Sequence, residues 1–444
     1  MDRREMAPSK RNRLAWLIVG FCLAGTGFAQ GTHQTVRHHK VAEDNPSSPL
    51  ELTQAETAIE KRDYASAEPL LQKVLAADPT NFQAWFDMGF VNNGLGKTTE
   101  SIAAYRKSVA AKPDVFESNL NLGLMLAKAG QPDAEQFLRA ATTLKPTANV
   151  DEGRARAWLS LAHVLEATKP DEAIEAYKQA AALKAKDPEP HIAAGMLMEK
   201  QSHFADSEQE YKQALALDPN SSDALTGLAN IYMRGQRLAD ADPILRKLVA
   251  MHPDDVSARR QLSRILVVLG KNDDAVAELQ EALKLDPQNA EVQADLADLY
   301  FQSKKYDQAE TAYRAMLVAK PNDPQLHHFL GVALLKQRKY GDAQQELLIA
   351  VKLKPDFGEA YGDLAVAADE NKNYELAIKA ADARAKFLPE VPVSFFLRAS
   401  AYDHLRDYKM AAQNYHRFLE LANGQYPDQE WQARHRLIAI EPKK

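Results

Sequence analysis

The chain has 444 residues, of which 45% are hydrophobic and 26% charged, a globular balance that excludes wholesale disorder and leaves enough apolar surface for a sizeable core. Its formal net charge of −6 argues against a general nucleic-acid binder, because such binding needs excess Lys and Arg to neutralise phosphates. One cysteine, Cys22, leaves no pair for a disulfide and no Cys-ligated zinc.

The first predicted element is a secretory signal peptide over residues 1–29. Arg3, Arg4, Lys10, Arg11 and Arg13 precede an apolar run from Leu14 to Ala24, and Gly27-Phe28-Ala29 offers small residues before a cleavage site. The run of 11 residues is well short of the roughly 20 that a spanning helix needs, so a retained anchor is the weaker alternative. Phe21 stands where a lipoprotein signal needs a small residue. Export to a periplasmic or extracellular location is the expectation. Cleavage after Ala29 would remove Cys22 and leave 50 Lys+Arg against 59 Asp+Glu, a net charge of −9. Residues 30–47 are polar, with Pro and Ser, and are expected to form a flexible linker.

From residue 48 onward the chain is dominated by one interval. Pro219, Pro253, Pro287, Pro321, Pro355 and Pro389 are each separated by 34 residues, as are Pro79 and Pro113. With Ser222 as position 1 of a unit, Leu225, Leu228, Ala229 and Tyr232 fall at positions 4, 7, 8 and 11, and Ala241, Leu245, Leu248 and Pro253 at 20, 24, 27 and 32. Steps of three and four trace one face of a helix, so each unit is a helix hairpin. Small residues at 8 and 20 allow the two helices to approach closely, and large ones at 4, 7, 11 and 24 fill the space around them. Gly96, Gly130 and Gly270 fall at position 15, where the turn favours positive φ. Proline at 32 cannot continue the second helix and closes the unit. Asp323 before Pro324 is an N-cap followed by proline at the first helical position.

This pattern resembles the tetratricopeptide-repeat (TPR) family. The resemblance implies an all-α fold, a right-handed superhelical solenoid of stacked hairpins, with eleven repeats over residues 48–427. The segment between Pro146 and Trp158 is longer than the usual link, and the unit placed at Ala155 is short in its turn near Lys169-Pro170, so a kink is expected at 146–157. Residues 428–444 are expected to supply a capping helix, with Trp431, Leu437, Ile438 and Ile440 covering the last apolar face, and a tail.

No catalytic or cofactor motif stands out. Gly96-Lys97-Thr98 lacks the glycine five residues earlier and the preceding strand of a phosphate-binding loop. His327 and His328 are adjacent on a helix and point about 100° apart, not toward one metal. His38-His39 falls in the expected linker. No cofactor, metal or enzymatic activity is expected.

The resemblance further implies that positions 2, 5, 9, 12 and 13 of each first helix line a groove. Those positions assign Phe86, Phe90, Asn93, Leu120 and Leu124 to an apolar stretch, and Asn230, Arg234, Arg260 and Arg264 to a basic one. Phe86, Phe90 and Leu120 are equally compatible with packing between hairpins, and Arg260 and Arg264 with pairing to nearby acids. The family's carboxylate clamp is matched only in part, since Asn230 occupies position 9 but Thr226 replaces the lysine at 5. The expected function is a non-enzymatic scaffold that binds an extended peptide or protein segment in its groove, in an exported or envelope assembly. The alternative is a carbohydrate-binding or polysaccharide-export accessory protein.

Overall fold

Between successive closing prolines the chain folds into two helices, as the periodicity requires. A computed structural model describes residues 35–38 and 49–441, with 23 helices and no strand among them. Residues 1–29, the expected signal peptide, lie outside the described residues, as does most of the expected linker.

The described chain divides into two compact units at Met251. In the first unit, hairpins pair Leu50–Glu60 with Tyr64–Ala77, Phe82–Gly94 with Thr98–Ala111, and Phe116–Lys128 with Ala134–Thr143. Val150–Leu165 with Pro170–Leu183, Glu189–Lys200 with Phe204–Leu217, and Ser222–Arg234 with Leu238–Met251 complete it. In the second, Val256–Val268 pairs with Asn272–Leu285, Ala290–Gln302 with Tyr306–Ala319, and Pro324–Lys336 with Tyr340–Leu353. Gly358–Glu370 with Tyr374–Ala385, Pro392–His404 with Tyr408–Ala422, and the single helix Pro427–Ile440 follow.

The small residue at position 8 is sterically compelled. A Cβ on Gly89 would lie 2.8 Å from the Tyr105 ring, and one on Gly331 would lie 2.6 Å from Leu347 Cγ. Tyr105 and Leu347 occupy position 24 and are fully buried, so the glycine admits the second helix onto the first. Where position 20 is serine, the hydroxyl bonds across the same contact: Ser101 Oγ donates to Gly89 O and Ser207 Oγ to Gly195 O, both at 2.7 Å.

The turn at position 15 is left-handed whether or not glycine is present. Gly96, Gly130 and Gly270 have φ of 77°, 65° and 75°, while Arg62, Ser202, Gln236, Lys304, Arg338, Lys372 and Arg406 hold φ between 58° and 66° in the equivalent place. The fourth hairpin lacks this residue, in keeping with its shortened turn: Lys169 has φ of −141° directly before Pro170.

Position 4 has a role beyond filling space. Trp85, Asn119, Arg259, Gln293 and His327 each donate to the carbonyl of the proline six residues earlier, at 2.8 to 3.0 Å. This bond satisfies a carbonyl left over where the helix stops and ties the start of one hairpin to the end of the last.

Three expectations need correction. The fourth first helix begins at Val150, five residues before Ala155, because Asn149 turns the chain with φ of 48° and Asp151 and Glu152 then favour the helix N-terminus. In the last helix Leu437 is buried and Ile440 packs on the terminal core, but Trp431 and Ile438 are 61% and 71% exposed. Trp431 stacks instead on His435, one turn along, with ring centroids 3.9 Å apart. Within the expected linker, Thr35–His38 is held against the first unit.

Candidate functional site

Thr35–His38 runs without helical structure across the first helices of three successive hairpins, Phe82–Gly94, Phe116–Lys128 and Val150–Leu165. Each of its last three side chains meets the scaffold. Val36 packs against two cores, one containing Phe86 and Leu122 and the other Leu120 and Leu124. His38 lies over the same surface, with its ring 5.2 Å from Phe90 and 6.1 Å from Phe86, and its Nε2 is 2.8 Å from Asp87 Oδ1. Arg37 meets Glu152 at 3.3 Å.

The main chain of the segment is also recognised. Asn121 Nδ2 donates to Arg37 O at 2.9 Å, and Arg156 Nη2 donates to Thr35 O. Asn121 is 2% and Arg156 5% exposed, so these donors are held by the helices that carry them. Burial, together with the charge of Arg37, pushes the Arg156 guanidinium down to about 10.

Asp87 is the electrostatic centre. At 3% exposure, burial pushes its carboxyl well above the usual range, and the hydrogen bond and charge of His38 offset that only in part. Its Oδ2 is buried and makes no hydrogen bond among the described residues. The Tyr105 hydroxyl nearby accepts from Asn121 at 3.4 Å and is likewise pushed up by burial.

The expected groove residues separate into groups. Phe86 and Leu120 are core side chains, at 0% and 3% exposure, so they form the floor under Val36 and His38 and present little open surface. Phe90 is half-buried against Tyr64 and His38, and Asn93 is half-buried at the end of the same helix. Asn230 is buried, with an Oδ1 that makes no hydrogen bond among the described residues. Arg234 lies on the Phe204 ring, 5.0 Å from its centroid.

Arg260 and Arg264 belong to the second unit, where both meet Asp295 Oδ2, Arg260 through Nε at 2.6 Å and Arg264 through Nη2 at 3.3 Å; Arg260 also pairs with Glu291. Their charge is therefore answered locally.

Sequence reasoning missed Asp87, Asn121 and Arg156. A signal for two of them exists, since position 6 carries Asp87, Asn121, Asp295 and Asp363 in the repeat frame. Asp295 and Asp363 accept from nitrogen-bearing side chains at positions 5 or 9 of the preceding hairpin, Arg260, Arg264 and His328. The corresponding residues before Asp87 are Leu52 and Glu56, neither of them a cation. His38, from outside the repeats, supplies the missing partner.

Family models agree with this architecture. Tetratricopeptide-repeat models match residues 199–266, 266–332 and 330–394, and the middle TPR-like domain of cilia and flagella-associated protein 70 matches residues 52–186. The chain belongs to the tetratricopeptide-repeat family. Among curated TPR relatives, the tetratricopeptide repeat and J domain-containing co-chaperone of Fusarium oxysporum is 29% identical over 117 residues, 26% of this chain and 22% of that protein. Putative cellulose synthase operon protein C of Escherichia coli O157:H7 is 30% identical over 141 residues, 30% of this chain and 12% of that protein. The chain thus spans less than a quarter of the length of either. The C-terminal part of a TPR repeat-containing protein from Cytophaga hutchinsonii aligns with a TM-score of 0.47 at 17% identity, covering 54% of this chain and 97% of that one. Among the described residues, no helix is long and apolar enough to cross a membrane, and no group of His, Asp and Glu side chains is placed to hold a metal ion.

Proposed function

We propose that this TPR chain is an exported, non-enzymatic interaction scaffold that binds an extended protein segment along the first-helix face of residues 82–165. The observation that carries this reading is the seating of Thr35–His38, whose carbonyls accept from Asn121 and Arg156 while Val36 and His38 face the apolar floor. Main-chain hydrogen bonds with alternate side chains in pockets are a general way of binding an extended peptide. Export rests on the basic and apolar pattern of residues 1–29.

A photo-crosslinking residue placed at Asn93, at the rim of this face, tests the reading in cell-envelope fractions. The expected result is a discrete protein adduct that disappears when Phe90 is replaced by Asp. Adducts that are unchanged by Phe90→Asp, or a chain recovered only from the cytoplasm, would defeat it. The 30% identity to a putative cellulose synthase operon protein motivates a second reading, binding of an envelope polysaccharide. Retardation of the purified chain in gels cast with that polysaccharide would favour it.

A further inference from the structure

We propose that Thr35–His38 is an intramolecular ligand that closes a built peptide site, and that a competing partner must present an aliphatic side chain two residues before a histidine or another hydrogen-bond donor. This deepens the groove reading above and rests on it.

Three features define what the site accepts. The carbonyls of Thr35 and Arg37, two residues apart, are met by Arg156 and Asn121, which read backbone and not side chain. Val36 fills the apolar surface between the second and third hairpins, where a polar or charged residue would lose its hydration without compensation. Asp87, almost wholly buried, demands a donor in the place that His38 takes. Arg37 adds an outward contact to Glu152, which is half exposed and contributes little to selection.

The carboxylates of the second unit show why the site is open to competition. Asp295 and Asp363 are met by side chains of the preceding hairpin, Arg260 and His328, which are part of the folded scaffold. Asp87 is met by His38, from a segment that lies outside the hairpins. A second segment of the same chemistry can therefore exchange with it without disturbing the hairpins.

Fluorescence polarisation with a labelled peptide of the chain's own residues 31–42 tests the proposal. It compares the full chain with a full chain carrying Val36→Asp and His38→Ala, which unseats the segment. The released chain is expected to bind the peptide at least tenfold more tightly than the original. A peptide with the same two substitutions is expected to bind at least tenfold more weakly than the native peptide, a comparison that leaves the protein unaltered. Equal affinity of the two chains, no binding to a released chain that keeps its helical circular dichroism, or equal binding of both peptides would overturn the proposal. Because the probe is the chain's own segment, the result is independent of whether an envelope partner is ever captured at this face.

Discussion

His38 Nε2 lies 2.8 Å from Asp87 Oδ1, a pairing like that of His328 with Asp363 at 2.7 Å, although the first spans 49 residues and the second 35. The second is repeat-to-repeat contact. The first joins an extended segment to the scaffold.

Replacing His38 by Ala removes the partner of a buried carboxylate, which costs about 1–3 kcal/mol unless the segment peels away and admits water. The expected outcome is faster amide exchange over residues 35–38 and a lowered thermal midpoint, with Asp87→Asn recovering part of the loss. Unchanged exchange in His38→Ala would mean that the pair does not hold the segment.

Gly89→Val tests the close approach at position 8. Its Cβ would meet the Tyr105 ring at 2.8 Å, and the ring is fully enclosed, so the neighbouring helix must shift. Overpacking of this kind costs about 1–3 kcal/mol, read as a lower urea midpoint at unchanged slope. A variant as stable as the original would show that the second helix can yield freely.

Lys304→Gly is expected to stabilise the chain. Lys304 holds φ of 60°, the conformation that Gly270 takes one repeat earlier at 75°. Releasing a side chain from the left-handed region recovers about 1 kcal/mol, less the extra freedom glycine gives the unfolded chain. Gly270→Ala should move the urea midpoint the opposite way.

Arg260 and Asp295 are half-buried and 2.6 Å apart, so their contributions are coupled. A double-mutant cycle with Arg260→Ala and Asp295→Ala is expected to give an interaction of at least about 0.5 kcal/mol. Neither substitution is expected to alter binding of the residue 31–42 peptide. Additive losses would mean that Asp295 does not hold Arg260.

Acid stability has an identifiable contributor in Glu135. Hydrogen bonds from Lys169 and then Arg139 hold its carboxyl below the usual value. A depressed folded pKa means the contribution is present above the unfolded value, near 4.5, and is lost as pH falls through the folded one. Glu135→Gln is expected to lower the thermal midpoint at pH 7 and to lose less than the original between pH 5 and 3. Parallel pH profiles would remove Glu135 from the account.

The sequence alone determined the hairpins, because period, close approach and closure are local requirements repeated every 34 residues. Pro113 and the Asp323-Pro324 cap could be interpreted without a partner, since backbone sterics and helix ends act within a few residues of each. Even there, the left-handed turn residues at Arg62, Lys304 and Arg338 were hidden, because the surrounding helices impose a conformation those residues do not advertise. What only the tertiary structure decided is which polar groups meet. Arg260 and Arg264 looked like a binding surface until Asp295 and Glu291 came into range, and Phe86 like an open groove residue until Tyr105, Val36 and His38 packed around it. Position 6 of the repeat marks Asp87 and Asn121, but the partner of Asp87, His38, lies 49 residues away and outside the repeat, where the period does not reach. Pairing of charges is a matter of distance in space, and distance across hairpins is set only when the helices pack.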